Sequence, residues 1–235
     1  MRRICAVVLA AVLATACGSS GAADRNLTVA AAASLTEAFE DLGRATGVAF
    51  SFAGSQQVVA QVEAGAPVDV VATAEPEAMD RLSRAGLVDP PRTFAANRLA
   101  IAVGPGNPRR IRGLADLAGD GLKVVLADPT VPAGRYAVQV LERAGARVRP
   151  VSLELDVKAV ARKVAAGEAD AGIVYATDLA AGTGVAIPDA SNVVVTYPVA
   201  VVRASTNRGR AEAFVDRLLG PPGRDALAAR GFLLP

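Results

Sequence analysis

From Asn26 onward, short apolar runs alternate with stretches in which apolar residues return every three or four positions. Apolar runs bounded by turn formers read as strands, and the longer periodicity reads as amphipathic helix. Strands are predicted near 26–31, 48–52, 68–72, 97–103, 122–126, 148–151, 170–174 and 193–202. Helices are predicted near 34–46, 55–64, 75–85, 134–144, 157–166, 207–219 and 222–230. Such alternation predicts an α/β fold in which helices cover both faces of mainly parallel sheets. No repeat and no glycine-serine linker divides the chain, so its division must come from two long apolar strands. Arg98 to Val103 runs into Gly104-Pro-Gly-Asn-Pro108, and Val193 to Arg203 carries Tyr197-Pro198 in its middle. If both cross between lobes, lobe 1 is discontinuous, residues 26–103 plus 198–235, and lobe 2 is 104–197, with the two strands as hinge.

The first residues follow a different pattern. Arg2 and Arg3 precede an apolar run from Ile4 to Ala14, and small residues lead to Cys17 and Gly18. This predicts an export signal over 1–16; the run falls short of the roughly 20 apolar residues that span a bilayer. The residues around Cys17 resemble the lipobox of bacterial lipoproteins, with Ala14 where that pattern usually has Leu. Lipidation of Cys17 and a flexible spacer over 17–25 are therefore expected, with cleavage that leaves a free Cys17 as the alternative. Both place the mature chain outside the cytoplasm, on a lipid anchor at the membrane or free in the periplasm.

Removing residues 1–16 leaves 219 residues and, with Arg2 and Arg3 gone, a formal net charge of zero. A neutral chain lacks the clustered cations that hold a phosphate backbone, so nucleic acid is not an expected partner. The groups Arg109, Arg110, Arg112 and Arg143, Arg147, Arg149 read as solvated faces. The only cysteines, Cys5 and Cys17, lie in the leader or at its edge, so no disulfide staples the fold. With 52% hydrophobic residues the core needs none.

Absent residues narrow the chemistry further. Without histidine there is no Ser-His-Asp triad and no imidazole ligand for a metal. Gly104-Pro-Gly106 and Gly182-Thr-Gly184 lack the spacing and the following helix of a nucleotide fingerprint. Glu75, Glu77, Asp80 and Asp156 fall at or inside helix starts, where complementing the helix dipole accounts for them.

What remains is a set of helix starts that follow strand ends: Ser34 after four alanines, Gly54-Ser55, Pro132-Ala133-Gly134 and Asp156-Val157. Ligands of open α/β sheets bind beyond the carboxyl ends of strands, where unpaired helix N–H groups gather and favour anions. Each residue also has a plainer reading. Ser34 with Glu37 fits a capping box, Ser55 is a helix-start hydroxyl, and Tyr175 suits a packed aromatic. Ala133 and Val157 offer only backbone N–H groups.

Taken in order, A-A-A-S-L-T at 31–36, F-A-G-S at 52–55, Q-V-E-A-G-A-P-V-D-V at 61–70, D-P-T-V-P-A-G at 128–134, D-V at 156–157 and G-I-V-Y-A-T-D at 172–178 resemble the periplasmic molybdate-binding proteins of ABC transporters. The closing G-F-L-L-P resembles that family's last segment. The resemblance covers nearly the whole mature chain and implies a type II periplasmic-binding fold, two α/β lobes joined by two crossover strands. It implies capture of molybdate or tungstate by Ser34, Ser55 and Tyr175 through hydroxyls and by Ala133 and Val157 through backbone N–H. It further implies a monomer with no cofactor and no catalysis, delivering its ligand to the membrane permease of an ABC importer. Gln56 departs from the family, which often has a second small hydroxyl residue there.

A donor-only pocket suits a fully ionised dianion, because hydroxyls can donate and N–H groups can do nothing else. Hydrogen phosphate keeps a proton that needs an acceptor. Sulfate has the same charge and shape, so its exclusion must come from cage size, and a sulfate or other oxyanion binder is the alternative. An exported hydrolase and a structural lipoprotein are the competing classes.

Overall fold

The structure is a computed structural model that describes residues 26–44, 46–179 and 183–235. The expected signal, the spacer and Cys17 lie outside the described residues. In chain order the elements are β1 (Leu27–Ala32), a 3-10 turn (Ala33–Leu35), α1 (Thr36–Gly43), β2 (Val48–Ala53), α2 (Ser55–Glu63), β3 (Val70–Ala72), α3 (Pro76–Arg84) and β4 (Arg92–Val103). After a second 3-10 turn (Leu114–Ala118) come β5 (Val124–Ala127), α4 (Pro132–Arg143), β6 (Ser152–Glu154), α5 (Val157–Ala165) and β7 (Ala171–Tyr175). A third turn (Ala176–Asp178), β8 (Gly184–Ala186), β9 (Val194–Val201), α6 (Arg208–Leu219) and α7 (Pro221–Ala229) complete the chain.

The strands run in the order β2-β1-β3-β9-β4-β7-β5-β6, with β8 beside β4. Two parallel sets, β2-β1-β3 and β7-β5-β6, occupy opposite ends of this order. The antiparallel strands β4 and β9 lie between them. β4 pairs with β9 through residues 92–98 and with β7 through residues 99–103, so one strand passes from one set to the other.

Most elements lie where periodicity predicts them. The expected strand at 148–151 is a correction: pairing starts at Ser152, opposite Val125. Pro150 has no N–H to give a ladder, which delays the strand until it is passed. β4 begins at Arg92, five residues earlier than expected, because its first residues pair with β9. β8 was not predicted at all.

Packing beneath the first parallel set is aromatic. Phe39 of α1 lies 6.0 Å from Phe50 of β2, 5.8 Å from Phe94 of β4 and 5.9 Å from Phe214 of α6 between ring centroids. The C-terminal α6 thereby packs against elements from the start of the chain. Two glycines mark close approaches. A Cβ on Gly134 would lie 2.0 Å from the Asp128 carbonyl oxygen, and one on Gly54 would lie 2.9 Å from the Leu155 carbonyl oxygen and 3.4 Å from Val131 Cγ1. At Gly54 the start of α2 meets the segments leading into α4 and α5. No described helix is long and apolar enough to cross a membrane.

Candidate functional site

The carboxyl ends of β1, β2, β5, β6 and β7 meet around one small cavity. Ser34, Ser55, Ala133, Val157 and Tyr175 all line it, although they are spread over 142 positions of the chain. Its free volume is about 20 Å³, far below the roughly 300–1,000 Å³ of pockets that take drug-sized ligands. Such a space suits a compact ion better than a sugar, nucleotide or peptide.

Ser34 sits in the 3-10 turn, where the short run of alanines lets the backbone turn tightly. Its side chain does not cap the helix, which corrects the capping-box reading. Thr36 Oγ1 instead donates to the Ala33 carbonyl at 2.7 Å, tightening the turn, and Ser34 Oγ shares a 3.3 Å hydrogen bond with the Tyr197 hydroxyl. Glu37 likewise turns away from the cap. Its carboxylate receives Lys158 Nζ of α5 at 2.7 and 2.8 Å.

Ser55 is the first residue of α2, and its Oγ accepts a 3.0 Å hydrogen bond from Ala74 N–H. With a lone pair so occupied, its proton is available to the cavity. Ala133 follows Pro132 in the first turn of α4, and Val157 opens α5. N–H groups at these positions have no acceptor within their own helix. Asp156 caps α5 by accepting from Ala159 N–H at 2.8 Å, as its helix-start position predicts. That bond holds a carboxylate which also lines the cavity.

Tyr175 ends β7. Its side chain is buried, yet its hydroxyl has no partner among the described residues. Burial pushes the phenol well above its ordinary range, so it remains a neutral donor. A buried polar group without a partner costs stability unless something else satisfies it.

No Lys or Arg is among the lining residues. The nearest cations along the chain, Arg135 and Lys158, are both paired. Arg135 bonds to the buried carboxylate of Glu75, which also accepts from Gln56 Nε2 at 3.1 Å. Burial raises the Glu75 pKa and Arg135 opposes it. Glu75 therefore does more than favour a helix dipole. Lys158 Nζ also lies 2.9 Å from Asp178 Oδ1, an ion pair whose angles fall short of a hydrogen bond. Burial pushes Asp178 up to about 6 against the pull of Lys158.

Tyr197 is the neighbour that sequence reasoning missed. Periodicity marked it only as part of a crossing strand. It is fully buried, with Tyr175, Phe94 and Phe232 rings around it at 5.9, 6.3 and 5.4 Å. A tyrosine in an apolar strand signals a buried hydroxyl that needs a partner, but not which one.

Residues 27–233 match the family model described as bacterial extracellular solute-binding protein. The chain is 38% identical over 241 residues to a molybdate-binding protein, ModA, of Mycobacterium tuberculosis, covering 94% of this chain and 92% of that one. It is 31% identical to ModA of Escherichia coli, covering 92% of each. Among solved structures, the periplasmic molybdate-binding protein of Azotobacter vinelandii matches with a TM-score of 0.76 at 24% identity, over 89% of this chain and all of that one.

Proposed function

As the chain belongs to the bacterial extracellular solute-binding proteins, we propose that it captures molybdate or tungstate in the cavity between its strand ends and hands the ion to an ABC importer. It is an extracytoplasmic binding protein, and its ligand is a cargo rather than a cofactor. The buried Tyr175 hydroxyl carries this reading, because it lines a cavity of ion size and lacks a partner among the described residues. Ser34, Ser55 and Tyr175 donate hydroxyl protons, and Ala133 and Val157 donate backbone N–H, so a dianion is held entirely by uncharged donors. Hydrogen bonds to an ionised acceptor contribute about 1.5–3 kcal/mol each, and helix N-termini add favourable dipoles.

Residues 26–103 with 198–235 form one lobe and 104–197 the other, closing on the ion about β4 and β9. The ion pairs Glu75–Arg135 and Glu37–Lys158 would then link the lobes on either side of it. Closure presents a changed outer surface to the permease. An export signal over 1–16 and a lipid on Cys17 keep the protein, as a monomer, beside that partner. The site has no paired nucleophile and base, so no catalytic step is assigned. Calorimetry on residues 26–235 with molybdate, tungstate, sulfate and phosphate in turn tests the reading. Tight binding of the first two alone supports it; preference for sulfate favours the alternative oxyanion binder, and no binding overturns both.

A further inference from the structure

We propose that Gly54 is the positioning residue at which the two lobes meet over the ion, its missing side chain setting how closely they can approach. The inference rests on the oxyanion reading above and adds to it the contact that limits closure.

Gly54 precedes Ser55 and is the N-cap of α2, with φ −59° and ψ 143°. Any L residue adopts these angles, so the backbone gives no reason for a glycine here. The reason lies across the cavity. A Cβ at Gly54 would meet the Leu155 carbonyl oxygen at 2.9 Å and Val131 Cγ1 at 3.4 Å, and its next neighbour is the Gln57 side chain of its own helix at 4.0 Å. Leu155 and Val131 both fall in residues 104–197, the opposite lobe. Among the described residues, every other glycine at which a Cβ would come within 3.4 Å of another group is crowded from inside its own lobe, as Gly43 is by Phe50, Gly134 by Asp128 and Gly172 by Val160. Those glycines serve the fold of one lobe; Gly54 serves the fit between two.

The places of these contacts in the chain give them their effect. Val131 lies two residues before Ala133, Leu155 lies two before Val157, and Gly54 lies one before Ser55. The meeting point therefore fixes the distance between the Ser55 hydroxyl and the two N–H donors. Leu155 cannot yield by a local movement. Before it, the Glu154 carbonyl accepts from Asp128 N–H at 2.8 Å, and after it Asp156 caps α5 through Ala159 N–H at 2.8 Å. A methyl at position 54 must instead hold the lobes apart, and Ala133 and Val157 then stand back from Ser34 and Ser55.

Gly54→Ala tests this, with Gly209→Ala, where a Cβ meets open space, as the control for an added methyl. Wild type and both variants are compared by calorimetry with molybdate, by melting without ligand, and by small-angle scattering with and without molybdate. Molybdate affinity is expected to fall about tenfold or more in Gly54→Ala, the effect of forcing a methyl into a filled contact. In Gly209→Ala it should stay within about twofold. Ligand-free melting of Gly54→Ala should stay level or rise slightly, because alanine is allowed at these angles and restricts the unfolded chain. Saturating molybdate should compact the wild type, and compact Gly54→Ala less. Unchanged affinity in Gly54→Ala, compaction equal to that of wild type, or ligand-free melting that falls along with affinity overturns the inference and leaves the oxyanion reading standing. A wild type that binds molybdate without compaction does the same. A wild type that binds no oxyanion overturns that reading and this inference with it.

Discussion

The cavity has two unlike walls. One, at the ends of β1 and β2, presents the side-chain hydroxyls of Ser34 and Ser55; the other, at the ends of β5 and β6, presents peptide N–H groups at Ala133 and Val157. The first wall depends on residue identity, and each hydroxyl needs a buried partner to set its direction. The second depends only on where a helix begins, since every residue but proline carries the same N–H. The two walls should therefore tolerate substitution in opposite ways.

The largest effect is expected from Val157→Pro. Proline is favoured at the first helical position, and Asp156 before it is already extended at φ −154°, ψ 164°. The helix should persist while one donor disappears, at a cost in molybdate affinity of about 1.5–3 kcal/mol. Val157→Ile should leave affinity within about twofold, because it keeps the N–H. Calorimetry with circular dichroism separates these outcomes; equal affinity in the two variants would break the contrast.

On the other wall, Ser34→Ala and Ser55→Ala should each weaken binding by about 1–3 kcal/mol. Their folding costs should differ. Ser55→Ala strands the buried Ala74 N–H, which is expected to cost a further 1–3 kcal/mol or about that in stability. Ser34→Ala leaves the Tyr197 hydroxyl still bonded to Asn97. Denaturant midpoints measure this difference, and equal midpoints would show that the two hydroxyls are supported alike.

The smallest effect concerns the charge behind the peptide wall. Burial raises Asp178 from 3.8 to about 6, so the folded chain holds this proton more tightly than the unfolded one. Its contribution to stability is present at low pH and is lost as pH rises through about 6, and Glu75 shifts in the same direction. Glu154 is held low by Lys163 and Ser152, so its contribution is lost as pH falls through its folded pKa. The melting temperature should therefore rise slightly from about pH 7 to about pH 5 and fall in stronger acid. Asp178→Asn should flatten the rise, and a rise that persists in this variant would assign it elsewhere.

Much of the fold was legible because strand and helix periods are written in the order of apolar residues, and a parallel α/β arrangement follows from their alternation. Ser34 and Ser55 were legible as hydroxyls at helix starts, though not as ligand groups, since capping explained them equally well. Ala133 and Val157 were legible only as helix starts that offer backbone N–H groups, and their part in holding a ligand entered through family resemblance. The displaced strand at β6 came from Pro150, whose missing N–H outweighed the apolar pattern around it.

The residue order by itself determined most of the elements and the exclusion of histidine chemistry, because these depend on composition and short-range pattern. Tertiary structure alone decided that five separated positions share one cavity, that Glu75 meets Arg135 and Glu37 meets Lys158, and that Tyr197 stands behind Ser34, 163 positions away. A hydroxyl or an N–H is chemically the same wherever it occurs. Its direction and its partner arise only when distant strands bring a second polar group within hydrogen-bond reach and exclude the water that would otherwise serve.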